Sequence, residues 1–120
     1  MCKGLGIDIC EIARMEKLMN DDRFMKRFFT PDEIAYVQSK GKGAAQTLAG
    51  LYAAREALAK ALGGGIDFDL KEAEICHTPA GTPYFRPAGR LAERTAGSRI
   101  LLSITHDAGV AAAVCILEAI

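Results

Sequence analysis

The chain lacks an excess of charge of either sign: 15 Lys and Arg stand against 15 Asp and Glu over 120 residues. A protein that tracks nucleic-acid phosphates along its surface carries a basic surplus, so that class is excluded and an anionic partner must be met by a local patch. No apolar run approaches the roughly 20 residues that span a bilayer, so no membrane association is expected. Residues 1–6 offer no apolar signal region of adequate length. The four cysteines, Cys2, Cys10, Cys76 and Cys115, form no Cys-x-x-Cys pair and are too scattered for a zinc site. They read as reduced, mostly buried thiols of a cytoplasmic protein.

What the chain does have is an ordinary soluble composition, half hydrophobic and a quarter charged. Its length predicts one domain, residues 1–120, with its own core. The stretch 48–62 is rich in Ala and Leu and free of Pro and β-branched residues, which predicts a helix. Leu48, Leu51/Tyr52, Ala59 and Leu62 recur at steps of three and four, giving it an apolar face. Gly63, Gly64 and Gly65 end it.

Residues 3–9 alternate Leu5, Ile7 and Ile9 with Gly4, Gly6 and Asp8, the period of a half-buried strand with Asp8 opposite its apolar side. Helical spacing follows from Glu11, and a second short helix from Arg23 carries Phe24 and Phe28 on one face. Thr30-Pro31-Asp32-Glu33 is a helix start with the cap, the proline and the returning glutamate in order. Residues 40–43 read as a flexible link. A hairpin is predicted over 74–86, then a short polar helix over 88–96. Strands at 100–104 and 110–117 flank a turn at 105–109, the last strand covered on both faces. The fold class is α+β: a small antiparallel sheet, joined by the N-terminal strand, packed on a long central helix.

Few residues are placed for chemistry. Glu56 and Lys60 lie one turn apart on the same side of the long helix. By themselves they read first as a solvated pair that supports the helix, and more sharply as a carboxylate for a metal and an ammonium for a phosphate. Asp8, at a strand end, is either a turn group or a second carboxylate. Mg²⁺ takes one or two carboxylates and leaves its other positions to water and phosphate, a count that Asp8 with Glu56 meets. The glycines 63–65 either stop the helix or let backbone approach a phosphate. The helix dipole disfavours anions there, so Lys60 would supply the attraction. Ser103-Ile-Thr-His106 builds no triad, because adjacent strand residues face opposite ways. His106 falls at a turn, and His77 has no role assigned. Arg14, Lys17, Arg23, Lys26 and Arg27 form a basic run interleaved with acids. That run is either a mixed solvated surface or a patch for an acidic partner helix, with Phe24 or Met25 as anchor.

Five motifs in order carry a resemblance: Gly6-x-Asp8-x-x-Glu11-x-x-Arg14, Arg23-Phe-x-x-Arg27-x-Phe29-Thr30-x-x-Glu33, Leu48-Ala-Gly-x-Tyr-Ala-Ala-Arg-Glu56-Ala-x-x-Lys60-Ala, Gly81-x-Pro83-Tyr84 and Ser103-Ile-Thr-His106. Over nearly the whole chain it resembles the holo-acyl carrier protein synthases, the small class of phosphopantetheinyl transferases. The resemblance implies the transferase fold and a Mg²⁺-dependent transfer of the 4'-phosphopantetheine arm of coenzyme A to a serine of apo-acyl carrier protein. Adenosine 3',5'-bisphosphate would be released, in the service of fatty acid biosynthesis. It implies Asp8 and Glu56 as metal ligands, with Lys60 meeting the coenzyme A phosphates. Gly63, Gly65, Pro83 and His106 would line the coenzyme A cleft. Arg14, Arg23, Phe24 and Arg27 would grip the acidic carrier protein. It also implies a homotrimer with sites between subunits. The chain departs from the family's usual Arg at 51, Lys at 55 and Lys at 82, carrying Leu51, Arg55 and Thr82.

Two rivals remain from the residues. Arg55-Glu56-Ala-Leu echoes a diphosphate hydrolase of the Nudix type, but the paired glutamates expected next are Ala59 and Lys60. A non-catalytic module binding an acidic carrier protein would need the basic patch but not the Asp8/Glu56 pair.

Overall fold

The long helix collects the rest of the chain around it. In a computed structural model, which describes residues 1–64 and 66–120, α4 spans Ala44–Leu62. It begins four residues earlier than the Ala/Leu run suggests, and twelve of its nineteen residues are buried. A helix enclosed on most of its circumference is a central rod rather than a surface helix. Leu48, Leu51 and Leu58 and a set of alanines fill its contacts, while Tyr52, Ala59 and Leu62 are only half-buried.

Before α4 come β1 (Cys2–Glu11), α1 (Ile12–Leu18), α2 (Asp22–Phe28) and α3 (Pro31–Gln38). Asp21 starts α2, its carboxylate accepting from the backbone N–H of Arg23 and Phe24. The capping box of α3 forms as expected: Thr30 Oγ1 accepts from Glu33 N at 3.2 Å and Glu33 Oε1 from Thr30 N at 3.0 Å. The link before α4 is a turn of 3₁₀ helix, Gly41–Gly43. After it come β2 (Ala73–His77), β3 (Pro83–Pro87), α5 (Gly89–Arg94), β4 (Ser98–Asp107) and β5 (Val110–Ala119).

The strands form two sheets. One has the order β1-β5-β4, all antiparallel, and packs on α4; the other is the β2–β3 hairpin. Strand β4 runs through Thr105 and His106 to Asp107, so the turn to β5 is only Ala108-Gly109. Both turn residues have positive φ, 51° and 82°, the requirement of a tight two-residue hairpin. His106 is therefore a strand residue. Strand β5 is buried on one face rather than two: Ala111, Ala113, Cys115 and Leu117 face inward, while Val114 and Ile116 are half-exposed.

Strand β1 keeps the expected alternation but reverses its burial. Gly4, Gly6, Asp8 and Cys10 face α4, and Leu5, Ile7 and Ile9 point outward, 63, 62 and 66 % exposed. The cause is how closely strand and helix approach. A Cβ on Gly4 would lie 1.9 Å from the Ala61 carbonyl oxygen, and one on Gly6 would lie 1.8 Å from that of Ala57. Only glycine admits that contact. The four cysteines are free, but only Cys10 and Cys115 are buried. Burial pushes the Cys115 thiol up to about 12, so it behaves as a small hydrophobe. Among the described residues no helix is long and apolar enough to cross a membrane.

Candidate active site

The close crossing of β1 on α4 sets the position of Asp8. Gly4 stands against Ala61 and Gly6 against Ala57, so the next residue on that face, Asp8, is carried along the helix toward its middle. Lys60, on the last full turn of α4, donates to the Ile7 carbonyl at 3.0 Å and to Asp8 Oδ1 at 3.3 Å. Both partners are exposed enough to be screened, so the pair adds little stability. Glu56, one turn earlier, shares with Lys60 an open cleft of about 340 Å³ that Ala59, Gly63 and Gly64 complete. Lys60 thus contacts Asp8 and shares a cleft with Glu56. Among the described residues no third His, Cys, Asp or Glu joins Asp8 and Glu56, and a pair of hard carboxylates suits Mg²⁺, which relies on water and substrate phosphate for its remaining positions.

Gly63 ends α4 in the left-handed conformation, φ 79°, with its N–H on the Lys60 carbonyl. The carbonyl of Leu62 accepts from Arg94 Nη2 at 3.3 Å, and Arg94 Nη1 pairs with Asp67 at 2.6 Å. Arg94 thereby offsets the negative end of the helix dipole at the rim of this cleft. No local motif pointed to Arg94, which comes from α5, far along the chain. Gly65, expected in the same cleft, lies outside the described residues.

Pro83 and His106 are brought together, but elsewhere. They line a second cleft of about 320 Å³ with Tyr36, Lys40, Gln46 and His77. The Gln46 amide nitrogen lies 2.8 Å from His106 Nε2. Tyr36 stacks on His77, centroids 4.0 Å apart and planes within 9°, and Lys40 lies over the Tyr36 ring at 4.6 Å. Burial, reinforced by Lys40, holds the His77 imidazole below its usual 6.5, with Glu33 opposing. The first cleft takes Glu56 to Gly64 and the second Gly50 and Leu51. Gly50 and Lys60 are separated by roughly 15 Å of helix. Within one chain the two clefts are distinct.

A third group lies on α2. Arg23, Phe24 and Arg27, with Asp21 and Phe28, line a groove of about 370 Å³. Arg14 is not on this groove wall; its guanidinium carbon sits 5.1 Å over the ring of Tyr52 on α4.

The three departures separate clearly. Leu51 is buried and lines the second cleft. Arg55 turns into the core, where it pairs with Glu33, donates from Nε to the Leu70 carbonyl at 3.1 Å and lies 4.9 Å over the Phe29 ring. Its Nη1 is buried without a partner. Glu33 Oε2 also accepts from Ile75 N at 3.0 Å, so Arg55 ties α4 to α3 and β2 and faces neither cleft. Thr82 sits in the hairpin turn, its N–H on Thr78 Oγ1 at 3.1 Å. Among the described residues no three His, Cys, Asp or Glu side chains gather as a metal-binding group. The glutamate-rich constellation of the Nudix reading is therefore not assembled.

Similarity to known proteins runs along the whole chain. A holo-[acyl-carrier-protein] synthase of Treponema denticola is 43% identical over 122 residues, covering 98% of this chain and 99% of its own. A holo-(acyl-carrier-protein) synthase of Bacillus anthracis, solved in complex with CoA (3',5'-ADP), superposes with a TM-score of 0.84 at 32% identity, over 100% of this chain and 99% of that one. The Helicobacter pylori synthase, solved in complex with coenzyme A, gives 0.83 at 32% identity over 95% and 99%. A family model described as the 4'-phosphopantetheinyl transferase superfamily matches residues 4–115. The chain belongs to the 4'-phosphopantetheinyl transferase superfamily, among the holo-acyl carrier protein synthases.

Proposed function

We propose that residues 1–120 act as one catalytic domain that transfers the 4'-phosphopantetheine arm of coenzyme A to a serine of an acidic apo-acyl carrier protein, in the cytoplasm and for fatty acid biosynthesis. The observation that carries this is the shared position of Asp8, Glu56 and Lys60: an ammonium 3.3 Å from one acid and in one cleft with the other. Asp8 and Glu56 would hold Mg²⁺, which would neutralise the diphosphate charge when bound. Lys60 binds the phosphate oxygens and stabilises charge building on them. Gly63 and Gly64 present backbone without side chains, so the diphosphate can come close. The serine oxygen of the carrier attacks the β-phosphorus, and the bond from that phosphorus to the bridging oxygen breaks. Adenosine 3',5'-bisphosphate departs. The serine proton passes either to Glu56 or to a water in the cleft. The nucleophile belongs to the partner, in keeping with the absence of a triad at Ser103.

Pro83 and His106 hold the remainder of coenzyme A from a neighbouring subunit. Two features support this assembly. The coenzyme A residues divide between two clefts that share no lining residue on one chain. In addition, the outer face of the β1-β5-β4 sheet exposes Leu5, Ile7, Ile9 and Leu101, an apolar area that monomers rarely leave bare. A homotrimer would cover that face and bring unlike clefts together. Arg14, Arg23, Phe24 and Arg27 receive the carrier.

The test is incubation with coenzyme A, Mg²⁺ and apo-carrier protein, read by carrier mass. A gain of one phosphopantetheine arm, lost on chelation of the metal and in Glu56→Gln, is expected. Hydrolysis of coenzyme A without carrier favours the hydrolase, and carrier binding without turnover favours the binding module.

A further inference from the structure

Tyr52 joins the basic patch on α1 and α2 to the long helix α4. Tyr52 lies on α4 one turn before Glu56, so it shares a helix face with Glu56 and, a turn further, with Lys60. Its ring carries the Arg14 guanidinium at 5.1 Å, and its hydroxyl oxygen is 3.5 Å from Arg14 Nη2. Its centroid is 6.4 Å from that of Phe24 and 6.3 Å from that of Phe28. Those two rings are themselves 4.9 Å apart. Tyr52 is therefore the aromatic platform under Arg14 and the brace of the Phe24/Phe28 pair. These are the charged and apolar elements with which an acidic helix would be met.

An unsupported arginine loses much side-chain freedom when it engages a carboxylate, whereas one already laid over a ring loses less. We infer that Tyr52 is a positioning residue. It pre-sets Arg14 for an acidic carrier protein and fixes that docking contact in register with Glu56 and Lys60. The inference rests on the transferase reading for the identity of the partner, but not for the geometry.

The experiment uses the full chain and measures apo-acyl carrier protein affinity by calorimetry, alongside steady-state KM values for carrier and for coenzyme A. Tyr52→Leu keeps an apolar side chain but removes ring and hydroxyl. Carrier Kd and KM are expected to rise about two- to fivefold while coenzyme A KM holds. Tyr52→Phe, which keeps the ring and the fold, should show a smaller rise. In the Arg14→Ala background Tyr52→Leu should add clearly less than in the wild-type chain, because the larger part of its effect runs through Arg14. A merely structural role would give the same factor in both backgrounds, or raise both KM values together, and either result overturns the inference. So does an unchanged carrier Kd in Tyr52→Leu. Should the wild-type chain bind carrier but transfer no arm, the transferase reading fails. Calorimetry still decides the role of Tyr52.

Discussion

Gly6→Ala is the most direct perturbation of the strand–helix crossing that carries Asp8. The added Cβ would lie 1.8 Å from the Ala57 carbonyl oxygen, 2.8 Å from its carbon and 2.9 Å from Ala61 N. All three are backbone atoms of α4, so no side chain can swing aside. A carbon–oxygen contact settles near 3.3 Å, so β1 and α4 must part by about 1.5 Å at this point. Overpacking of this kind costs about 1–3 kcal/mol, which for a chain of this size lowers the melting temperature by roughly 4–15 °C. Activity should suffer more than stability. Asp8 is the next residue on the same face, and its 3.3 Å contact with Lys60 and the 3.0 Å bond from Lys60 to Ile7 both span the crossing. A displacement of about 1 Å in a catalytic array can cost on the order of 10²-fold in rate. Thermal unfolding by circular dichroism and kcat/KM for coenzyme A measure the two effects. Gly43→Ala is the control, since its φ of −88° is ordinary and its Cβ would meet nothing nearer than 4.0 Å. If Gly6→Ala melts and turns over like the control, the crossing does not position Asp8.

Glu33→Gln should destabilise by about 3–5 kcal/mol, because it leaves the Arg55 charge buried without a counter-ion. The double replacement Glu33→Leu with Arg55→Met should cost less than the sum of the two single changes, as urea midpoints would show. His77 contributes in the opposite pH sense to a salt-bridged histidine. Its folded value lies below the usual 6.5, so the unfolded state binds the proton first. The stabilisation from neutral His77 is complete above about 6.5 and is lost as the pH falls through that value and then the lower folded one. His77→Phe should flatten the acid side of a stability–pH profile, and an unchanged slope would refute this. Ile7→Asp places a charge on the exposed apolar sheet face. It should shift sedimentation from the assembled toward the single-chain species, and turnover should fall with it.

Much of this architecture was legible locally. The α3 capping box, the glycine stop of α4 and the β2–β3 hairpin depend on neighbours in sequence. The burial of β1 was not legible, because alternation reports that a strand has two faces and not which one meets the core. That was decided by α4, whose approach demands glycine at 4 and 6 and so sends the larger Leu5, Ile7 and Ile9 outward. Arg55 was misleading for a related reason: beside Glu56 it looks like part of a charged site. Yet it lies four residues after Leu51 and three before Leu58, within the buried stripe, and that spacing could have placed it inside. His106 was drawn into a turn because Asp107-Ala-Gly109 advertises one, but a two-residue hairpin needs only Ala108 and Gly109. Arg94 and Tyr52 act through contacts 32 and 38 residues distant in the chain, beyond any local pattern.

The division of the proposed coenzyme A residues between two clefts has a consequence that a single-chain active site would not share. If Lys60 of one subunit works with His106 of its neighbour, chains defective at different halves can complement each other. Lys60→Ala and His106→Ala homotrimers should each be impaired, because every site lacks one half. Co-expressed in equal amounts and mixing at random, they form sites in which the Lys60 half is intact in about half of cases and the His106 half likewise. About a quarter of all sites are then whole. Turnover of the mixture should recover toward about a quarter of wild type per site, whereas mixing the two purified and non-exchanging proteins should recover nothing. A site contained within one chain predicts no recovery in either case, since no chain in the mixture carries both residues. Assayed with saturating coenzyme A and carrier, co-expressed protein no more active than the better single variant would show that the two clefts do not act together. It would also leave the exposed Leu5-Ile7-Ile9 face without a catalytic reason to be covered.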